Sequence, residues 1–238
     1  MLVEIESRTK TEITKIADEY ENRSTEELLL WAIGRFAPKL AMTSSFGAEG
    51  VVLIDVLSRV APAALREIPV IYLDTGFHFP ETEQLKEQMR ERYALNLVEA
   101  GAELTVAEQA RIYGEKLYER DSDMCCRLRK VEPLAGAMHG YDAWLAALRR
   151  DQSPSRAGIP RVEWNAKRRM FKVNPLAAWT RADVWNYIAR HALPYNRLYD
   201  EGYASIGCAP CTRPVGAHEH ERNGRWSGQG KLECGIHL

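Results

Sequence analysis

The sequence predicts an α/β fold with a mostly parallel twisted sheet, helices on both faces and an irregular C-terminal segment. Apolar strand patterns alternate with helical patterns up to about residue 201. Polar, glycine-containing turns follow the first two strands. From Gly202 onward glycine, proline, histidine and cysteine are frequent and hydrophobic periodicity fades. We therefore divide the chain into an α/β domain, residues 1–201, and a segment, residues 202–238, with a mobile end.

The individual elements follow from local patterns. Apolar residues at helical spacing over 13–20 predict a first helix, and Ser24 to Glu27 form a capping box for a second. Strands are predicted at 39–43, 69–73, 95–98, 143–148 and 171–173. Helices are predicted over 51–57, from Pro80, and over 184–190 with a cap at Thr180.

Composition excludes several classes of protein. The chain has 238 residues and a net charge of -1, which does not favour a nucleic-acid or membrane partner. The N-terminus lacks the basic and apolar regions of a signal peptide, and no apolar run reaches the roughly 18 residues of a membrane span. We expect a cytoplasmic protein whose 5 cysteines stay reduced.

Two close cysteine pairs predict a metal centre. Cys125 and Cys126 are adjacent, and Cys208 and Cys211 are separated by two residues. Four thiolates can hold zinc or an iron–sulfur cluster, and adjacent cysteines fit the zinc-ribbon spacing poorly. Spacing alone favours iron only slightly over zinc, and buried structural cysteines are the plainer alternative.

The fifth cysteine, Cys234, is a candidate nucleophile. It lies in a glycine-containing stretch near the end of the chain, where a thiol is accessible, and His237 three residues later can favour its thiolate. The alternative is an incidental surface thiol.

A phosphate-type turn is predicted where the first strand meets the next helix. Backbone amides and a helix N-terminus at such a turn bind anions, although many similar turns bind nothing. A second turn, at the carboxyl end of the 69–73 strand, lies at the same edge of a parallel sheet and can hold a ribose or base. The candidate residues are Ser44, Ser45, Phe46, Gly47, Ala48 and Glu49 in the first turn and Leu73, Asp74, Thr75 and Gly76 in the second.

Basic residues near these features indicate an anionic substrate. Guanidinium groups match phosphate and sulfate oxygens, although most arginines only solvate a surface. The candidates for neutralising the substrate are Lys130, Arg149, Arg156, Arg222 and Arg225.

Taken together, these motifs resemble the sulfonucleotide reductases, specifically the assimilatory adenylyl-sulfate (APS) reductases that use thioredoxin. The similarity extends from about Ser24 to the end of the chain. The matching residues are 43–49, 73–76, Cys125-Cys126 with Arg129-Lys130, 149–153, the Cys208–Cys211 pair and Glu233-Cys234-Gly235-Ile236-His237. Gly50 departs from the family pattern, in which an acidic or other polar residue is frequent.

The resemblance implies a fold like that of the adenine-nucleotide α-hydrolases and reduction of APS to sulfite and AMP. It implies that the paired cysteines ligate a 4Fe–4S cluster, that Cys234 forms an S-sulfocysteine, and that His237 belongs to the substrate site. Relatives without both pairs prefer 3′-phosphoadenylyl sulfate (PAPS), so both pairs imply APS. Since no second C-x-x-C is present, thioredoxin is expected as a separate, transient partner.

Three other functions remain as alternatives. The first is a PAPS reductase. The second is an ATP pyrophosphatase-type enzyme, which shares the fold but has an unmodified S-G-G-x-D-S loop that residues 44–50 lack. The third is a zinc-stabilised nucleotide-binding module, which leaves Cys234 without a role. The sequence leaves the oligomeric state open, a homo-oligomer included.

Overall fold

The computed structural model describes residues 2–237, with side chains described from Thr11 onward. The helices are α1 Leu2–Glu21, α2 Thr25–Phe36, α3 Ala48–Val60, α4 Pro62–Glu67, α5 Pro80–Tyr93, α6 Val106–Tyr113, α7 Leu117–Arg120, α8 Ser122–Cys126, α9 Glu132–Ala137 and α10 Arg181–Arg190. The strands are β1 Leu40–Thr43, β2 Val70–Asp74, β3 Leu97–Gly101, β4 Ala143–Ala146, β5 Val162–Asn165 and β6 Met170–Val173. A π-helical turn, Arg127–Val131, connects α8 to α9.

The six strands form one sheet in the order β3-β2-β1-β4-β6-β5. All neighbouring pairs are parallel except β5–β6, which is antiparallel. The chain adds β2 and β3 on one side of β1 and then returns to place β4 on the other side. This reversal opens a crevice beyond the carboxyl ends of β1 and β4, where ligands bind in such sheets.

Apolar side chains cover both faces of the sheet. On one face α3 is buried along nearly its whole length, with Val52, Leu53 and Leu57 fully inaccessible. The opposite face packs against α9 through Leu134 and Trp144. A sheet buried on both faces explains the continuous apolar runs of its strands, and the predicted fold class is confirmed.

The local predictions differ from the structure mainly at the edges of the sheet. The capping box predicted at Ser24 and the cap predicted at Thr180 are present, and each side chain accepts a hydrogen bond from the amide of the third residue of its helix. The strand predicted at 95–98 begins later, because Leu95 still donates to the carbonyl of Arg90 at the end of α5. No strand was predicted at β5, an edge strand of only four residues in which the apolar Val162 and Trp164 alternate with the polar Glu163 and Asn165.

The segment from residue 202 contains little regular structure. Within the described residues it holds one 3-10 turn, Ala209–Cys211, and an isolated bridge between Thr212 and Arg225. Among the helices that are described, none has the length and apolar character to cross a membrane.

Candidate active site

A cleft opens at the carboxyl ends of β1, β2 and β4. Its empty volume is about 1250 Å³, open solvent included. Thr43, Leu73 and Ala147 line it from the strand ends, and the segment after residue 202 closes its other side. The cleft therefore lies at the position that the strand order dictates for a ligand.

The first predicted turn is a tight loop against the start of α3. The Ser44 hydroxyl accepts from the Phe46 amide at 3.0 Å, and Phe46 has a left-handed backbone, φ 53°. A Cβ on Gly50 would lie 2.6 Å from the Ser44 Oγ, so glycine permits this close approach. The cleft is lined by Ser44, Ser45, Gly47, Glu49 and Gly50.

Two residues of this loop act as anchors and do not line the cleft. The Phe46 ring is buried, 5.7 Å from the ring of Tyr72. Ala48 is also buried, and its amide donates to the Tyr199 hydroxyl at 3.2 Å. Residues 44–50 thus combine a polar surface that faces the cleft with a buried support. We call them the anion loop after the role that the sequence predicts for them.

The second turn connects the sheet to the cysteines. Leu73 and Thr75 line the cleft, whereas the Asp74 carboxylate accepts from the Gly76 amide at 2.8 Å and does not line it. The Thr75 hydroxyl lies 3.4 Å from the Cys208 sulfur. Gly76 also lies outside the lining; its φ of 68° and a Cβ position 2.9 Å from Val106 explain the glycine.

Arg149 does not reach the cleft, contrary to the sequence prediction. Its side chain is 1% exposed, and its guanidinium pairs with Glu49 at 2.8 Å, Glu221 at 3.1 Å and Asp151. Three carboxylates therefore use its donors before any substrate arrives. The local sequence did not reveal this, because Glu221 lies 72 residues away.

The other predicted cations line the cleft: Lys130, Arg156, Arg222 and Arg225. Burial and the neighbouring Arg156 lower the pKa of Arg222 to about 10, so this group remains charged at neutral pH. The Nε atoms of Arg222 and Arg225 are buried and have no hydrogen-bond partner among the described residues. Unused donors on crowded cations make this side of the cleft attractive to an anion.

The C-terminal tail, which we define as residues 231–237, lies against these cations. The Glu233 carboxylate accepts from Nε and Nη2 of Arg156, both at 2.7 Å, and from Arg222 at 3.1 Å. Cys234, the next residue, lines the cleft together with Ile236 and His237. The tail thus brings its thiol to the same cavity as the anion loop.

His237 has a different environment from the one its sequence position suggested. Its imidazole stacks on the Trp144 ring at 5.1 Å, with an angle of 12° between the planes. Burial, together with nearby cations of which Lys172 is the strongest, lowers its pKa well below 6.5. A neutral imidazole held in this stack does not supply the positive charge that would favour a Cys234 thiolate.

The four paired cysteines surround a second recess of about 310 Å³, open solvent included. Cys125 and Cys126 end α8, while Cys208 and Cys211 flank the 3-10 turn, and all four thiols are free. Burial and the Cys208 thiolate raise the pKa of Cys211 to about 11. Despite its own burial, Cys208 has a lowered pKa, because Lys130 and the Thr75 hydroxyl favour its thiolate.

Basic side chains border the recess on several sides. Arg129, on the π-helical turn, donates to the Thr75 carbonyl at 2.9 Å. Lys130 lines both this recess and the cleft that contains Cys234. Although burial opposes its charge, the nearby thiolates of Cys208 and Cys234 raise the pKa of Lys130. Within the part of the chain that the structure describes, no three Cys, His, Asp or Glu side chains converge as a single metal ion requires.

Sequence reasoning missed three residues of this site. Lys231 donates to the Ser122 carbonyl and pairs with Asp123 at 2.7 Å, beside Cys126. Glu233 entered the sequence analysis only as part of a motif, without a role of its own. The charged residues Lys231 and Glu233 alternate along the tail, and this alternation could have indicated that both bind the body of the protein. Tyr199 lies in no recognisable motif. Its hydroxyl contacts the anion loop only because the fold brings together residues that are 151 positions apart.

Known proteins match this arrangement over most of the chain. Residues 39–214 match the profile of the phosphoadenosine phosphosulfate reductase domain. A protein from Halalkalibacterium halodurans named adenosine 5'-phosphosulfate reductase is 47% identical over 226 residues, 94% of this chain and 96% of its own. One from Gloeobacter violaceus named phosphoadenosine 5'-phosphosulfate reductase is 46% identical over 231 residues, 96% of this chain and 94% of its own.

A solved structure agrees with the sequence matches. The crystal structure of phosphoadenylyl-sulfate reductase from Candida auris superposes with a TM-score of 0.75 at 32% identity, covering 85% of this chain and 96% of that one. Since the profile and the relatives both span most of the chain, this protein belongs to the phosphoadenosine phosphosulfate reductase domain family.

Proposed function

We propose that this protein reduces adenylyl sulfate to sulfite and AMP in sulfate assimilation, with Cys234 as nucleophile and thioredoxin as electron donor. One observation supports the proposal most directly: Cys234 lines the same cleft as the anion loop and the basic side chains Arg222 and Arg225. A thiol beside a polyanion site fits transfer of a sulfo group from a nucleotide to sulfur.

Sulfite forms through two displacements at sulfur, and a third displacement then frees the enzyme from thioredoxin. The Cys234 thiolate attacks the sulfur of the sulfo group, an S–S bond forms, the S–O bond to phosphate breaks, and AMP leaves with that electron pair. A thioredoxin thiolate then attacks the Cys234 sulfur, and sulfite departs. The second thioredoxin thiol resolves the mixed disulfide, so that thioredoxin is oxidised by two electrons and Cys234 returns as a thiol.

The side chains of the cleft have separate tasks in these steps. The loop at 44–50 and the unused donors of Arg222 and Arg225 bind the phosphate and sulfo oxygens. Lys130 lines both the cleft and the cysteine recess, so its positive charge lies near the site of sulfo transfer. The neutral face of His237 contributes packing against Trp144, which keeps the end of the tail in the cleft.

The cysteine-lined recess fits a 4Fe–4S cluster held by Cys125, Cys126, Cys208 and Cys211. A single zinc ion needs its thiolates about 2.3 Å from a common point, whereas a cuboidal cluster occupies the space between its ligands. The four free thiols surround a recess, and Arg129 and Lys130 lie beside them. This arrangement fits the cluster better than a single zinc ion. When bound, the cluster supplies a structural and electrostatic centre, and neither displacement requires it to change oxidation state.

The choice of APS over PAPS rests on the resemblance, in which both cysteine pairs accompany APS. Relatives of equal similarity bear both names, so PAPS reduction is the second candidate function. The comparison of kcat/KM for the two nucleotides, with thioredoxin in excess, separates them. A preference for PAPS would exclude our choice of substrate and leave the sulfo transfer intact.

Three further assignments accompany this proposal. Residues 202–238 form the functional unit that contributes the second cysteine pair and the nucleophile. Reduced thiols and a thioredoxin donor place the reaction in the cytoplasm. Neither step requires a second copy of the chain.

A mass measurement tests the central step. Wild-type protein is incubated with APS without thioredoxin, and the intact mass should increase by one SO3 group on the peptide that contains Cys234. Cys234→Ser should bind AMP normally but show neither adduct nor turnover, because an alcohol is a much weaker nucleophile near neutral pH. An adduct on another cysteine, or an active Cys234→Ser variant, would contradict the proposal.

A further inference from the structure

The Glu233 carboxylate, although it lies in the C-terminal tail, is nearly buried and accepts several hydrogen bonds. The side chain is 11% exposed. Its carboxylate accepts hydrogen bonds from Nε and Nη2 of Arg156, both at 2.7 Å, from Nη2 of Arg222 at 3.1 Å and from the Ser155 hydroxyl at 3.2 Å. Bidentate pairs of this kind fix orientation as well as position. Because Cys234 is the next residue, these hydrogen bonds also restrict the position of its backbone.

The tail is fixed by other contacts on both sides of Glu233. Before it, Lys231 pairs with Asp123 at 2.7 Å and donates to the Ser122 carbonyl at 2.9 Å. After it, Gly235 has a φ of 88°, a left-handed conformation that favours glycine, and a Cβ there would lie 3.4 Å from the Val131 side chain, at van der Waals contact. These contacts bring the tail across the cleft, and the Glu233 pair is the one directly beside the thiol.

Arg156 and Arg222 differ in how many of their guanidinium N–H donors are free to bind a nucleotide. Arg156 uses Nε and Nη2 for Glu233 and donates through Nη1 to the Gln152 side chain at 2.5 Å. Arg222 uses Nη2 for Glu233 and for the Leu232 carbonyl, while its Nε is buried and unpaired among the described residues. Arg156 is therefore committed to the tail, whereas Arg222 can contact the tail and a nucleotide together.

We infer that Glu233 is a positioning residue that holds the Cys234 thiol at the cleft, with Arg156 as its dedicated anchor and Arg222 as the bridge to the nucleotide. The inference rests on the proposed sulfo transfer to Cys234. It reassigns Arg156, which the sequence predicts as a substrate ligand, to the closure of the tail. The Arg222 guanidinium can then bind the tail and the nucleotide at the same time, because it uses different nitrogens for each.

The experiment separates the formation of the S-sulfo adduct from nucleotide binding. Glu233→Gln removes the charge but keeps the size of the side chain, so adduct formation from APS in a single turnover should slow by roughly tenfold or more. AMP affinity should stay within about threefold of wild type, since Arg222 keeps its free donors. Iodoacetamide should alkylate Cys234 faster in the variant, because the tail leaves the cleft more often.

Three controls make the outcome specific. Glu219→Gln breaks another glutamate–arginine fork in the same segment, Glu219–Arg213 at 2.8 Å, and should leave adduct formation unchanged. Glu233→Asp keeps the charge and should recover part of the rate. Arg156→Gln should slow the adduct, and the double variant Glu233→Gln/Arg156→Gln should be little slower than either single one, because the two residues act through one contact.

Two results would overturn the inference. Adduct formation at the wild-type rate in Glu233→Gln would show that the carboxylate does not position the thiol. A parallel loss of AMP affinity and adduct rate would show that Glu233 shapes the nucleotide site instead. Absence of the adduct in the wild-type protein would contradict the proposed function itself, so the two failures are distinguishable.

Discussion

Replacement of Arg222 by alanine should weaken nucleotide binding while leaving the fold intact. The side chain is 13% exposed, lines the cleft and has a buried Nε without a partner among the described residues. A charge-assisted hydrogen bond in such a site contributes about 1.5–3 kcal/mol, which corresponds to a loss in AMP affinity of roughly 10- to 150-fold. The free energy of unfolding should change by less than about 1 kcal/mol, because burial beside other arginines already opposes this charge.

Calorimetric titration with AMP, together with urea unfolding, measures both quantities. Arg213→Ala is the matched control, since Arg213 also pairs with a glutamate but lies outside the cleft lining. Wild-type AMP affinity in a folded Arg222→Ala protein would refute the assignment of Arg222 to the substrate. A loss of several kcal/mol of stability would instead show that Arg222 serves mainly to fix the tail.

Three other predictions concern the tail, the core and the cysteines. An undocked His237 titrates near about 6.5 whereas the docked ring stays neutral to lower pH, so acid favours the undocked state. The tail should therefore become more sensitive to protease as pH falls through about 6.5, and His237→Asn should remove this dependence. Asp55→Ala should lower the free energy of unfolding in urea by about 3 kcal/mol, because it leaves the Tyr93 and Tyr187 hydroxyls, now at 2.7 and 2.8 Å from the carboxylate, without their acceptor. Cys211→Ser should lower the iron content from about four atoms per chain and weaken the visible absorption, and unchanged iron would exclude this thiol as a ligand.

Much of the fold was predictable because its signals are local. Strand periodicity and capping residues act over a few positions, and the caps predicted at Ser24 and Thr180 are both present. The position of the cleft followed from one rule about the carboxyl ends of parallel strands. The edge strand β5 alternates apolar and polar residues over only four positions, too few to distinguish a strand from a loop, and the π-helical turn at 127–131 has no sequence pattern of its own.

The roles of the arginines were less predictable, because each role depends on a partner that is distant in sequence. Arg149 and Arg222 both lie in polar stretches and resemble each other as candidates. In the structure one is 1% exposed and meets three carboxylates, while the other lines the cleft with an unpaired donor. No periodicity encodes that difference, since Glu49 and Glu221 approach Arg149 from positions 100 and 72 residues away.

The buried position of Arg149 gives it an indirect part in the site. Its guanidinium joins Glu49, in the anion loop, to Glu221, the residue before Arg222. Removal of a buried cation from such a network leaves uncompensated carboxylates and costs about 3–5 kcal/mol, so the contact is strongly maintained. Arg149, which does not line the cleft, thus connects the loop at 44–50 to the segment that contains Arg222 and Cys234. The cleft depends on this connection, because one wall comes from residues 43–156 and the other from residues 199–237.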